Sequence, residues 1–267
     1  MLKLSGMLKS LWQYRHFLLS SIRNEFISRF ARSKLGGLWL IINPLAQVAI
    51  YALILSNVLA AKLPDIDNKY AYAIYLMAGL LSWTLFSEIV NRCLNLFIEQ
   101  GNLMKKMWFP RITLPVIVVG FNLFNNILLF ICMVVISLIL GYHFSLIIFW
   151  LLPMTILLAA FSLGVGLVLG VLNVFVRDLG QAVPIILQMW FWFTPIVYPA
   201  SIIPEDYRHW LVLNPMYHVV DAYQGLIVYG RAPQVEGVFI IGVLAVLFLI
   251  LSLFLFRRSI EEMVDVL

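Results

Sequence analysis

Charged side chains are scarce here, at 12% of 267 residues against about 25% in an ordinary soluble domain. Hydrophobic residues reach 63%. The scarcity is concentrated, since no formal charge falls within residues 35–61, 70–87, 112–176, 179–204 or 237–256. Each run is near or above the ~20 residues that a helix needs to cross a ~30 Å hydrocarbon core. This excludes a soluble globular core and predicts an all-α membrane protein.

Cysteine is nearly absent too. Cys93 and Cys132 both lie inside apolar segments, without metal-ligand spacing or an extramembrane partner, so neither a disulfide framework nor a zinc site is expected. The sequence has no GxxxxGK[ST] phosphate loop and no HExxH, CxxC or GxSxG, so the chain is not expected to hydrolyse ATP or to be an enzyme, and no cofactor or metal is assigned to it. Intramembrane charges are too few for a proton or sodium relay. Nor is a cleavable leader expected, because Lys3, Lys9, Arg15, Arg23, Arg29, Arg32 and Lys34 interrupt any short apolar core.

The formal net charge is +5, but the position of the cations speaks against nucleic acid. With six crossings and both ends inside, 13 of the 18 Lys and Arg fall in residues 1–34, 99–111, 173–180 and 257–267, while Lys62, Lys69, Arg208 and Arg231 fall outside and Arg92 stays within a span. That bias predicts cytoplasmic termini. Residues 1–34 form one segment, with apolar Leu11, Leu18 or Leu19, Ile22, Phe26 and Phe30 at helical spacing opposite Arg15, Arg23, Asn24, Ser28 and Arg32. An amphipathic helix on the inner leaflet fits this pattern, as does a helix packed on a soluble partner.

Residues 35–267 read as one six-span domain. The first span carries Trp39, Asn43 and Pro44. The second holds Glu88 and Arg92 at i,i+4, the favourable order for a helical ion pair, with structural and gating roles both open. Residues 99–111 present Met104, Lys105, Lys106, Trp108 and Arg111. That composition suits docking to a protein or a basic interfacial loop. GYHFS at 141–145 divides the long apolar block into spans three and four. Gly164, Gly166 and Gly170 allow close helix approach, and Asn122, Asn125 and Asn126 are expected to hydrogen-bond between helices. Residues 200–233 break into pieces too short to span, which predicts two short re-entrant helices on the outer side.

Residues 173–199, NVFVRDLGQAVPIILQMWFWFTPIVYP, place Arg177 and Asp178 at the inner edge of the fifth span and Trp190, Phe191, Trp192, Phe193 and Tyr198 toward its outer half. An outer aromatic belt is one reading. A pathway is the other, in which aromatic faces let the C–H faces of sugars slide on contacts weak enough to release.

NVFVRDL, TPIVYP, IPEDYRHWLVLNP, HVVDAYQGLI and the early LGGLWLIINPL, taken in order over nearly the whole chain, resemble the membrane subunit of ATP-binding-cassette exporters for bacterial surface polysaccharides, the permeases of O-antigen, capsule and teichoic-acid export. The resemblance implies a homodimer in the bacterial inner membrane, paired with two copies of a separate ATPase that holds ATP and magnesium, and an undecaprenyl-linked polysaccharide as substrate, with O-antigen the first choice. It also implies a coupling helix at Met104 to Arg111, an interface helix at the N-terminus, a channel lined by Trp39, Trp190, Phe191, Trp192, Phe193 and Tyr198, and a re-entrant cap at 200–233. Arg177 and Asp178 would hold the inner end of span five in register, or serve as a salt bridge in the fold alone. Two other readings stand beside it. A small-lipid or drug exporter would favour a more aliphatic channel. A polyprenyl-sugar transferase would have to work through His209, His218 and Asp221, with Glu205 and Asp206 nearby.

Overall fold

The computed structural model describes residues 14–30, 33–39, 41–43, 45–46, 49–50, 71–101, 105, 113–139 and 141–266, and these are helix, turn and loop. Most of the expected first span and most of the expected coupling segment lie outside them. In chain order the helices are α1 (Arg15–Phe30), α2 (Ala71–Glu99), α3 (Thr113–Ile139), α4 (Leu151–Phe175), α5 (Leu179–Phe193), α6 (Glu205–Leu211), α7 (Pro215–Ile227) and α8 (Val235–Val266).

Four helices among the described residues are long and apolar enough to cross a membrane: α2, α3, α4 with its 3-10 lead-in from Leu146, and α8 over Val235–Ser259. Burial ranks them. The apolar stretch of α2 is 72% buried, against 28% for α3 and 17% for α8, so α2 is the central post and the other two present broad apolar faces outward. With few charges to separate an inside from an outside, position in the bundle is set by packing rather than by amphipathicity.

The α4 glycines set that packing on two sides. A Cβ on Gly166 would sit 2.8 Å from Cys93 Cβ, and one on Gly170 would run into the Cys93 carbonyl of α2. On the other side, a Cβ on Gly164 would meet Phe248 Cβ at 2.8 Å and Leu249 N at 2.9 Å in α8. The expected close approach is thus present, and it wedges α4 between the central post and the last helix.

The asparagines divide. Asn126 Nδ2 donates to the Leu81 carbonyl at 2.8 Å and Asn125 Nδ2 to Glu88 Oε2 at 3.3 Å, both crossing to α2. Asn122 Nδ2 instead turns back on its own helix, donating to Val118 O at 2.9 Å. Asn173 of α4, not singled out from the sequence, donates to Leu94 O at 2.9 Å.

The fifth apolar run departs from expectation. The sequence places a span between residue 179 and the re-entrant segment that begins at residue 200, but α5 stops after 15 residues at Phe193, roughly 22 Å at ~1.5 Å per residue. The cause is local: Thr194 precedes Pro195, where the proline ring disfavours helical backbone, and it adopts φ −103° and ψ 131°. Beyond it, residues 194–199 run without regular structure, a 3-10 turn covers Ala200–Ile202, and α6 and α7 follow. Arg208 pins this turn to α6 by donating to Ile203 O and Ser201 O, each at 2.9 Å.

Candidate functional site

An irregular segment among apolar helices leaves carbonyl groups that lipid cannot satisfy. Here protein satisfies them. Tyr72 of α2 donates to Val197 O at 2.5 Å, the Tyr75 hydroxyl lies 3.4 Å from both Pro195 O and Tyr198 O, and Gln224 Nε2 of α7 reaches Pro195 O and Ile196 O at 3.5 and 3.4 Å. Gly79 makes room, since a Cβ there would meet Gln224 Nε2 and Ile196 Cγ2 at 3.0 Å. α7 itself is mostly buried, from Met216 to Ile227, although it is too short to cross.

The break is locked by a residue that the sequence reading passed over. Asn214 caps α7, its Oδ1 accepting from Met216 N at 3.0 Å with Pro215 in the first helical position. The same oxygen accepts from the Trp190 indole at 2.8 Å, and Asn214 Nδ2 donates to Thr194 Oγ1 at 2.9 Å. The Thr194 hydroxyl in turn donates to Trp190 O at 2.9 Å. One side chain therefore ties the end of α5 to the start of α7. The Asn-Pro dipeptide was a legible cap signal; the indole arriving from 24 residues away was not.

The aromatic cluster splits across this break. Trp190 turns inward, edge-on to Trp83 and Phe86 with centroids 6.2 and 5.3 Å apart, and Phe191 is buried against Trp83. Trp192 and Phe193 are 52% and 69% exposed. Tyr198 is half-buried, its hydroxyl donating to Trp192 O at 2.7 Å. With Ile185, Ile186 and Met189, also exposed, Trp192 and Phe193 continue one apolar stripe at helical spacing along α5. Trp39, in the helical turn after Gly36–Leu38, is exposed as well.

The charged candidates are placed as follows. Arg92 pairs with Glu25 of α1 and lies 4.6 Å from the Phe121 ring centroid, while Glu88 accepts from Asn125. The helical spacing of Glu88 and Arg92 therefore gave no sign of the partner that Arg92 takes on α1. α1 packs against α3, where a Cβ on Gly120 would run against Ile22. Arg177 and Asp178 are exposed in the turn between α4 and α5, and among the described residues they form no ion pair with each other. Lys105 is exposed; Met104, Lys106, Trp108 and Arg111 lie outside the described residues.

His218 Nε2 engages Val212 O at 2.9 Å, the His209 ring is tilted against Trp210 with centroids 5.0 Å apart, and Asp221 pairs with Arg231. Among the described residues no cluster suits a metal.

These features define a multi-pass helical membrane protein built around a broken helix. A family model described as ABC-2 type transporter matches residues 17–228, and the chain belongs to that family. It is 29% identical over 266 residues to the O-antigen export system permease protein RfbA of Myxococcus xanthus, covering 97% of this chain and 98% of that one. It is 30% identical over 223 residues to the protein of the same name from Klebsiella pneumoniae, covering 81% and 82%. It is 26% identical over 240 residues to the polysialic acid transport protein KpsM of Escherichia coli, covering 90% and 92%.

Proposed function

We propose that this chain is the permease subunit of an ATP-driven exporter that carries an undecaprenyl-linked polysaccharide from the cytoplasm across the inner membrane. O-antigen is the first choice of glycan. The observation that carries the reading is likeness over nearly the full length of both chains to a permease named for O-antigen export. Lower identity, 26% over 90% of this chain, to a protein named for polysialic acid transport keeps a capsular glycan as the second reading.

In this reading two copies of the chain meet and two copies of a separate ATPase dock at the coupling segment around residues 99–111, bringing ATP and magnesium with them. Both termini are cytoplasmic. The six-span count needs the first apolar run and α5, extended by residues 194–199, to complete their crossings. The short helices α6 and α7 then form the re-entrant cap. The exposed stripe of Ile185, Ile186, Met189, Trp192 and Phe193 belongs against the partner copy or the polymer. Trp192, Phe193, Tyr198 and Trp39 are the aromatics exposed enough to meet sugars, and Trp190 and Phe191 hold the wall from behind.

Two measurements test the proposal. Affinity purification from the native membrane in mild detergent should recover a soluble ATPase at two copies per two of this chain. A strain lacking the gene should accumulate lipid-linked glycan inside the cell and lose it from the surface. Recovery of the chain alone, or normal surface glycan without it, would remove the exporter reading.

A further inference from the structure

Beside the broken end of α5 lies a cavity of about 420 Å³, inside the range of about 300–1,000 Å³ usual for small-molecule sites. Polar and aromatic groups converge on this space: Tyr217, Asp221 and Gln224 from α7, and Tyr229, Arg231 and Gln234 from the connection to α8.

The wall is built rather than incidental. Gly230, at φ +58°, turns the chain back over α7, a backbone that L side chains adopt at a cost. Arg231 N then donates to Gly225 O at 2.9 Å. The arginine side chain lies along α7 because Gly225 has no Cβ, which would meet Arg231 Nε at 2.9 Å. Its Nη2 donates to Asp221 Oδ1 and its guanidinium sits 5.6 Å from the Tyr229 ring centroid. Gln224 forms part of the inner wall, held by the carbonyls of Pro195 and Ile196.

The chemistry of that wall selects among ligands. Asp221 neutralises Arg231, so the cavity offers no uncompensated cation to a phosphate or an acidic sugar. What it offers is planar carboxylate, amide and guanidinium groups, whose paired donors and acceptors suit adjacent hydroxyls, together with tyrosine rings that present both an apolar face and a hydroxyl. We propose that this cavity is a glycan subsite holding one neutral sugar residue of the polymer where it passes the broken end of α5. The inference rests on the polysaccharide-export reading and adds a place of recognition that the exposed stripe alone does not supply.

The test uses the full transporter with its ATPase in lipid nanodiscs and, as probe, neutral oligosaccharides released by mild acid from the envelope polysaccharide of the same cells. Saturation-transfer NMR reads binding to the wild type, to Asp221→Asn and to Gln234→Ala. The second variant, on an exposed connection, should fold normally even if the first does not. Binding roughly tenfold weaker in each folded variant is expected, the scale of one lost hydrogen bond in a charged network, with no displacement by inorganic phosphate. Absence of transfer to the folded wild type, wild-type binding by both variants, or displacement by phosphate would overturn the subsite. If the strain lacking the gene accumulates lipid-linked glycan while both variants bind like the wild type, the subsite fails and export stands. If that strain displays normal surface glycan, the export reading itself fails.

Discussion

At the scale of single residues, Asn214 carries three hydrogen bonds that join two helices. It caps α7, accepts the Trp190 indole and donates to Thr194. Replacing it by alanine removes the cap, worth about 0.5–2 kcal/mol, and strands a part-buried indole N–H, costing about 1–3 kcal/mol. Asn214→Ala is therefore expected to destabilise the protein by about 2–4 kcal/mol. Asn214→Asp keeps the acceptor for both Trp190 and Met216 and gives up only the bond to Thr194, so its loss should be smaller. Thermal unfolding of the purified protein in nanodiscs measures both, and an alanine variant that melts with the wild type would show that the node is ornamental. Little of this was legible in the sequence. Asn214 and Pro215 announce a helix start, but an indole partner from another helix leaves no periodic trace.

At the scale of helices, what could be read was set by length and by the smallest side chain. α2, α3, α4 and α8 correspond to long charge-free runs, and the turn at 141–145 falls where the sequence placed it. The expected fifth span outran α5 because apolar residues continue to residue 199 while Thr194-Pro195 ends the helix, and hydropathy does not register backbone restriction. The α4 glycines were legible as a packing face, and they make a sharp prediction. In Gly170→Ala the methyl meets a backbone carbonyl of α2, which cannot rotate away. Overpacking of this kind costs about 1–3 kcal/mol, so the yield of folded protein and its melting temperature should fall. Gly242→Ala in α8, where a Cβ meets nothing within 4 Å, should be neutral or slightly stabilising. Equal behaviour of the two variants in a detergent-stability assay would mean that α2 and α4 are not held by close approach at Gly170.

The ion pair between Arg92 and Glu25 also belongs to this scale, because it fastens α1 to the bundle. The side chains keep 29% and 25% of their exposure, so the ~3–5 kcal/mol lost on breaking a fully buried pair is an upper bound; about 1–3 kcal/mol is expected here. Glu25→Gln should loosen α1 and speed tryptic cleavage at Arg15 and Arg23. The exchange of the two residues, Glu25→Arg with Arg92→Glu, should recover much of the protection. Cleavage of Glu25→Gln at the wild-type rate would assign the hold on α1 to apolar contacts such as Ile22 at Gly120.

For the whole molecule, the arrangement across the bilayer proposed above rests on charge counted over all segments together. Thirteen of the 18 cations fall on the side assigned to the cytoplasm and four on the other, a bias that orients the chain through its short loops. The rigid part of α5 is shorter than the hydrocarbon core, so the orientation requires residues 194–199 and the following turn to complete the crossing from Asp178 to Asp206. Both positions are exposed and single cysteines there decide the matter. In intact cells whose outer membrane admits the reagent, a maleimide that cannot cross the inner membrane should label Asp206→Cys, and should label Asp178→Cys only after the inner membrane is opened. The natural cysteines do not interfere: Cys93 is fully buried, and Cys132 is half-buried within an apolar helix. The wild type thus serves as the background. Labelling of both positions from outside would mean that α5 enters and leaves on one face, so that Trp192 and Phe193 cap the bundle rather than line a passage through it. The reverse pattern would invert the topology and place the sugar-sized cavity beside α7 on the cytoplasmic side, before transport instead of at its exit.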